Sequence, residues 1–332
     1  MAYKQVQHEA KDRMATNEKT GKEKLAESFK KFAKYGTDEY HKFNGDEKSV
    51  LPLVVKYKDC TVVGTWHLRQ IGDDKNRKLV REAIEKAVLD YIKTTPKEKR
   101  FIMVEGVTGG NVILKDGKVN PNMPFKDLDS AMKNGEPMGV LYLAKEHDIR
   151  ATSPEPTDKE SIRRLQLRGF TKDEALLFFI SRQLPYVEQG KMNEFLPWFV
   201  SHLSQESRYV KKEPTNEEVM DIIKRQNALF EKLYGKPMII TENGVMRSNL
   251  TTSEVNRLIS PSAVVDKPKE AKLLNHINFE LDIIRNKKIV EELKKATDSG
   301  LSPFIIYGRS HIAIMKSGLD YLYGEPKSIE NI

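Results

Sequence analysis

Short apolar segments alternate with amphipathic ones along most of the chain, and this alternation constrains the fold more than any other feature. Residues 101–104 (Phe-Ile-Met-Val) form a continuous apolar run, typical of a strand covered on both faces. Residues 79–92 carry apolar side chains in the spacing of one buried helical stripe. Residues 51–58 and 60–65 predict two more strands, with a turn near Asp59. The order strand–helix–strand–helix–strand predicts an α/β fold with a mixed central sheet flanked by helices.

The chain divides into four predicted parts. Residues 1–48 are predicted to be a basic leader that contains one amphipathic helix, and residues 49–156 hold the first part of the α/β core. Residues 157–300 show helical periodicity and Ser/Thr-x-x-Glu capping boxes, and so predict a large helical insertion or cap. Residues 301–332 return to the core with its last strand and a helix from Ser310.

The composition excludes several classes of protein. The chain has 332 residues, of which 39% are hydrophobic, and a single cysteine. One cysteine rules out an internal disulfide framework and a cysteine-based zinc site. The sequence has no apolar stretch long enough to span a bilayer and no apolar leader after Met1, so we expect a cytoplasmic protein without a membrane span.

The net charge of +8 does not by itself indicate nucleic-acid binding. Basic residues are interleaved with acidic ones, as in residues 267–272, which is typical of a solvated helical surface. The charge favours solubility and the attraction of anionic substrates. Association of the basic N-terminal segment with nucleic acid is a weaker alternative, which steep salt dependence of binding would reveal.

Four chemically active side chains each follow a short apolar run. Two Gly-x-x-His motifs place His67 and His311 just past two of these runs, and Glu105 and Glu155 follow two others. Ligands of open α/β sheets bind beyond the carboxyl ends of the strands. We therefore expect two imidazoles and two carboxylates at one edge of the sheet.

These residue types support two kinds of site. Imidazole and carboxylate groups bind divalent metals such as zinc, manganese, cobalt or iron, and three protein ligands leave a position for water. In the metal hypothesis His67, Glu105 and His311 are the ligands, and Glu155 is the base or a supporting carboxylate. A purely structural role is the alternative for each of these residues. A lone Gly-x-x-His motif, in particular, arises often by chance.

Three further residues are candidates for the same site. Arg182 lies on a mostly apolar helical segment, and we predict that it points to the strand-end acids or to an anionic substrate group. Arg309 and Trp66 lie inside the two histidine motifs and are candidates for substrate binding. The alternatives are a surface arginine at a helix end and a tryptophan that packs in the core.

At these residues the sequence resembles the TraB/Tiki group, which is related to erythromycin-esterase and ChaN-type proteins. The resemblance rests on the two Gly-x-x-His motifs and on Glu105, and it follows the order of elements over residues 50–320. It implies an α/β fold with an inserted helical region and a site at the strand ends. It also implies metal-dependent peptide hydrolysis, with His67, Glu105 and His311 in the positions of the family motifs and Glu155 matching the esterase-like branch.

The leading hypothesis is a metal-dependent hydrolase of a peptide or small molecule, in which water attacks an amide or ester carbonyl. The first alternative is a metal-independent, esterase-like hydrolase that uses histidine and glutamate. The second is a non-catalytic module that binds a ligand, a peptide or a partner protein.

Overall fold

The computed structural model places residues in two compact units, which are described separately. The first unit takes its described residues from Met1–Glu155 and Asn286–Ile332, and the second unit is Pro156–Arg285. The structure describes residues 21–35, 37–44, 50–68, 71, 73–106, 112–188, 190–204 and 215–332.

A six-stranded mixed sheet forms the centre of the first unit. Its strands are β1 (Leu53–Lys56), β2 (Thr61–Thr65), β3 (Arg100–Val104), β4 (Arg150–Thr152), β7 (Ser302–Gly308) and β8 (Ser328–Asn331). The order across the sheet is β4-β3-β7-β2-β1-β8. Strands β4, β3, β7 and β2 are parallel, whereas β1 is antiparallel to both of its neighbours. The four parallel strands therefore all end at the same edge.

Helices of the first unit flank this sheet. They are α1 (residues 21–30), α2 (Asp38–Asn44), α3 (Asp74–Thr94), α4 (Leu128–Met132), α5 (Glu136–Glu146) and α13 (Arg309–Tyr323). A long helix, α12 (Leu273–Asp298), begins in the second unit and continues in the first. Helix α3 buries the predicted stripe, including Val80, Ile84 and Val88, although Leu79 stays exposed.

Strand β7 shows why the sheet needs helices on both faces. Phe304 and Ile306 pack into one apolar core with side chains of α3 and α5. Ile305 and Tyr307, which point to the opposite face, pack into a second core with side chains of α12 and α13. All four are almost fully buried, because successive side chains of a strand alternate between its faces. The apolar sequence of this strand thus requires a covered sheet.

A buried hydroxyl fastens α3 to the amino ends of two strands. Tyr91 donates a hydrogen bond to the carbonyl oxygen of Ser302 (2.7 Å) and accepts one from the backbone N–H of Phe101 (2.8 Å). Burial raises the pKa of Tyr91 to about 12.

Replacing Tyr91 by phenylalanine is expected to lower the free energy of unfolding by about 1–3 kcal/mol, because backbone groups lose their partner. Since the raised pKa favours the neutral hydroxyl in the folded state, its contribution is complete below pH 10 and is lost as the pH rises toward 12. Denaturant titrations should therefore show that the difference in free energy of unfolding between the wild-type protein and Tyr91→Phe becomes smaller above pH 10. Tyr321→Phe, at an exposed tyrosine, is the control, and equal effects of both changes would contradict the prediction.

The second unit is mainly helical and has its own apolar core. Its complete helices are α6 (Asp158–Gln166), α7 (Lys172–Gln183), α8 (Met192–Ser204), α9 (Asn216–Tyr234), α10 (Thr252–Ile259) and α11 (Ala263–Asp266). Thr157, Thr171 and Thr215 cap the starts of α6, α7 and α9, as their capping boxes predict. Thr251 does the same for α10.

A small hairpin in the second unit was not predicted. Strands β5 (Ile239–Glu242) and β6 (Val245–Ser248) pair around a turn at Asn243 and Gly244, both of which have positive φ angles. Asn-Gly between short apolar segments is a strong hairpin indicator, because a two-residue turn of this kind requires left-handed backbone. The helical periodicity on either side obscured it.

The predicted fold class is confirmed: the protein has a mixed sheet flanked by helices and a large helical insertion before the last parallel strand. Edge strand β8 was not predicted. Residues 1–20 of the predicted leader and residues 107–111 of a glycine-rich stretch lie outside the described residues. No helix in the described ranges combines the length and apolar character that crossing a bilayer requires.

Candidate active site

The predicted site residues of the first unit come from the carboxyl ends of the parallel strands. His67 follows β2 by two residues, and Glu105 follows β3 directly. His311 is the third residue of α13, which begins immediately after the central strand β7. Because β2 and β3 are the two neighbours of β7, these three side chains start from adjacent positions along one edge of the sheet.

The three side chains converge on Gly308, the last residue of β7. A Cβ atom built on Gly308 would lie 3.3 Å from Glu105 Oε2, 3.3 Å from His67 Nε2 and 3.6 Å from His311 Cδ2. The backbone N–H of Gly308 also donates to Glu105 Oε2 at 2.5 Å. A side chain here would crowd the space that the two imidazoles and the carboxylate share, so glycine lets the three groups approach one another closely. The structure thus brings together His67, Glu105 and His311.

A buried carboxylate holds the His67 ring. Glu136 is 3% exposed, and its Oε1 lies 3.3 Å from His67 Nδ1 and accepts the backbone N–H of Leu68 at 3.1 Å. Glu136 is also the first residue of α5, where the helix dipole favours a negative charge. With Nδ1 turned toward this carboxylate, Nε2 is the ring nitrogen that lies beside Gly308.

A buried amide holds the His311 ring in the same way. Asn286 is fully buried on α12, and its Oδ1 lies 2.7 Å from His311 Nδ1. With the amide oxygen on this side, Nδ1 donates and Nε2 faces Glu105 Oε1 at 3.7 Å. The side chains of His311 and Glu105 are 6% and 13% exposed, whereas that of His67 is 40% exposed. Solvent therefore reaches the cluster from the His67 side.

The donor types in this cluster fit a divalent metal. Imidazole ligands of metals generally donate their second ring N–H to a carboxylate or carbonyl group, and here Nδ1 of His67 lies beside Glu136 and Nδ1 of His311 beside Asn286. Their Nε2 atoms and the Glu105 carboxylate would be the ligands. As placed, however, no three His, Cys, Asp or Glu side chains within the described residues form a group that could hold a metal ion.

Glu155 and Trp66 lie at the same edge of the sheet. Glu155 is half-buried three residues after β4, and Trp66 is half-buried between β2 and His67. The indole Nε1 of Trp66 is buried and has no hydrogen-bond partner among the described residues. Their predicted roles, as a base or supporting carboxylate and as a wall of the pocket, stay predictions.

Arg309 has a structural position that differs from the predicted one. The residue is 4% exposed, and its guanidinium donates to the carbonyl oxygens of Phe43 (3.0 Å) and Leu51 (3.0 Å) and to Asn331 Oδ1 (3.1 Å). Desolvation by burial lowers the pKa of Arg309 from its ordinary value. Because three protein acceptors already occupy the guanidinium, we do not retain Arg309 as a substrate-binding residue.

Arg182 belongs to the second unit. It lies in the last turn of α7, and its side chain is exposed, whereas Leu176–Ser181 of that helix are buried. This is the position expected of a surface arginine at a helix end. Its predicted contact with the strand-end acids or with an anionic substrate group stays a prediction.

Cys60 is not placed to act as a nucleophile. The thiol is buried, and burial raises its pKa well above the ordinary value. Because the thiolate is the reactive form of cysteine, a buried thiol with a raised pKa is inert near neutral pH.

Sequence reasoning missed the two residues that hold the imidazoles. Glu136 stands between a glycine and a proline at a helix start, and Asn286 lies inside a long charged helix. Neither belongs to a motif. The one available indication is that Asn286 lies three and four residues before the buried Ile289 and Val290, which places a poor helix former on the apolar face of α12.

No family model, curated protein or solved structure matches this chain. The resemblance to the TraB/Tiki group therefore stays a prediction that rests on the two histidine motifs and on Glu105.

Proposed function

We propose that the protein is a hydrolase in which water attacks an amide or ester carbonyl of a small molecule or peptide at His67, Glu105 and His311. The observation that carries this proposal is the convergence of three side chains, from the ends of three adjacent strands, on Gly308. The single cysteine is typical of a protein of a reducing compartment, so we place the reaction in the cytoplasm.

Each group has a distinct task in this reaction. Glu136 and Asn286 hold Nδ1 of the two rings, so that each Nε2 atom is left for the reacting groups. In the metal-dependent form Glu155, which lies at the same edge of the sheet, takes a proton from the reacting water as it attacks the carbonyl carbon. The proton then passes to the leaving nitrogen or oxygen as the bond to the carbonyl carbon breaks.

In the metal-dependent form that we favour, His67 Nε2, Glu105 and His311 Nε2 would hold a divalent metal. Such a metal, when bound, lowers the pKa of water and supplies a nucleophile at neutral pH. Zinc, manganese, cobalt and iron all accept this set of nitrogen and oxygen donors.

The metal-independent form is the second candidate, and one observation favours it. His311 Nε2 lies 3.7 Å from Glu105 Oε1, a distance at which a protonated ring forms a direct ion pair with the carboxylate. In this form a protonated His311 pairs with Glu105, and His67 Nε2 is the base.

We expect His67→Ala, Glu105→Gln and His311→Ala each to lower hydrolysis by about 10²–10⁴-fold, because each removes a group that handles the reacting water. The measurement is turnover of a panel of peptide and ester substrates, together with the metal content of the purified protein. His147→Ala is the matched control, since this histidine ends α5 in the same unit and lies outside the cluster.

Chelation separates the two forms of the proposal. Loss of activity on exhaustive chelation, restored by added metal, supports the metal-dependent form, whereas full activity after chelation supports the other. Hydrolysis by all three cluster variants at the wild-type rate would exclude this site. A protein that hydrolyses no member of the panel, with or without added metal, would favour a binding module instead.

A further inference from the structure

A cationic cleft adjoins the candidate active site within the first unit. Its volume is about 440 Å³, and it is lined by Leu68, Asp74, Arg77, Lys78, Arg81, Met132 and Lys133. The lining comes from the first two turns of α3, from the end of α4 and from the residue that follows His67. A cavity of this size accommodates a small organic molecule.

The charge of the lining favours an anion. Four of the lining side chains are cationic, and only Asp74 is acidic. Arg77 contacts Asp74 at 2.6 Å, and Lys78 lies 3.7 Å from Glu82. Both pairs are largely exposed and link neighbouring turns of one helix, so each contributes little stability and is easily exchanged. An oxyanion that enters the cleft can therefore take over these donors.

The far end of the cleft limits where the anion can bind. A second cavity of about 250 Å³ shares Lys78, Arg81 and Met132 with the first, and it adds the acidic side chains Glu82, Glu85 and Asp129. Asp129 also forms an ion pair with Arg81. These carboxylates repel an anion, so the favourable lining is the part that the second cavity does not share, which includes Leu68, Arg77 and Lys133.

The remaining lining residues are apolar. Leu68 is 4% exposed and Met132 is 1% exposed, so the cleft has an apolar wall behind its charged rim. A ligand that combines an oxyanion with an apolar body matches both parts of this surface.

One contact connects the cleft to the catalytic cluster. The backbone N–H of Leu68 donates to Glu136 Oε1, which is also the oxygen that faces His67 Nδ1. Leu68 thus forms part of the cleft wall, while the preceding residue presents its imidazole to Gly308. One peptide bond therefore joins a residue of the cleft wall to His67 of the catalytic cluster.

We propose that this cleft is the subsite for an oxyanion of the substrate, a phosphate or a carboxylate carried on an apolar body. The inference rests on the proposed hydrolase function and narrows the substrate class to anionic esters and amides. Arg77 and Lys133 bind the oxyanion, and Leu68 and Met132 contact the apolar body.

Binding of three matched probes tests this inference: phenyl phosphate, benzoate and the neutral benzamide. Calorimetry at fixed ionic strength should show that the full chain binds at least one of the two anions and binds benzamide at least tenfold more weakly. The tighter of the two anions identifies the oxyanion class. The double variant Arg77→Gln/Lys133→Gln should bind that anion at least tenfold more weakly than the wild-type protein.

The control is Lys86→Gln/Lys93→Gln, which removes the same charge from exposed positions of α3 that do not line the cleft. It should change the dissociation constant less than twofold. Equal weakening by the control, binding of benzamide as tight as that of the anions, or no binding of either anion would overturn the inference. His311→Ala should bind the anion like the wild-type protein, so a failure of the hydrolase proposal remains distinguishable from a failure of the subsite.

Discussion

Replacing Gly308 by alanine is expected to lower hydrolysis by about 10²-fold while the protein stays folded. The backbone angles of Gly308 (φ −52°, ψ 138°) are open to any residue, so the change introduces no backbone strain. The new methyl group would lie 3.3 Å from both Glu105 Oε2 and His67 Nε2. It would push these groups apart and fill the space where water has to bind.

The measurements are turnover and the pH titration of the histidine ring protons by NMR, which reports on the cluster without a substrate. Gly64→Ala is a matched control on β2, because its Cβ would be equally crowded, 3.2 Å from Ile312 Cγ1 and 3.3 Å from the Cα of Arg309. The control should lower the free energy of unfolding by about 1–3 kcal/mol and leave the histidine titration unchanged. If Gly308→Ala left both turnover and the histidine titration unchanged, then His67, Glu105 and His311 would not surround Gly308 as described.

Replacing Arg309 by methionine is expected to lower the free energy of unfolding by about 3 kcal/mol or more, because several charge-assisted hydrogen bonds are lost. The guanidinium joins three separate segments: the end of α2 through Phe43, the start of β1 through Leu51 and strand β8 through Asn331. Hydrogen exchange should therefore become faster in residues 38–44 and 328–331 as well as in the unit as a whole.

Lys327→Met serves as the control, since this lysine is exposed beside β8 and its loss removes the same charge. We expect it to change stability by less than about 0.5 kcal/mol. The free energy of unfolding of Arg309→Lys should lie between those of Arg309→Met and Lys327→Met, because an ammonium group reaches fewer of the three acceptors. Stability of Arg309→Met equal to that of the control would contradict the structural assignment and reopen the substrate-binding role.

Local patterns were enough to predict the parallel strands and the helices that cover them. The alternating burial of Phe304 and Ile305 follows from an apolar run that has to be covered on both faces. The Asn243-Gly244 hairpin and edge strand β8 were missed for different reasons. The Asn-Gly pair indicates the hairpin locally although helical periodicity surrounds it, whereas β8 has only four half-buried or exposed residues and gains its register from pairing with β1.

The sequence by itself determined which residue types stand just past the strands, because a strand end is encoded within a few residues. It placed His67, Glu105 and His311 at one edge of the sheet. Only the tertiary structure decided that β7 lies between β2 and β3, which joins these three side chains at Gly308. It also decided that Glu136 and Asn286 orient the two imidazole rings. Arg309, by contrast, donates hydrogen bonds to Phe43, Leu51 and Asn331. Such partnerships depend on strand order and on the direction of individual side chains, and no local pattern specifies them, since their members are far apart in the sequence.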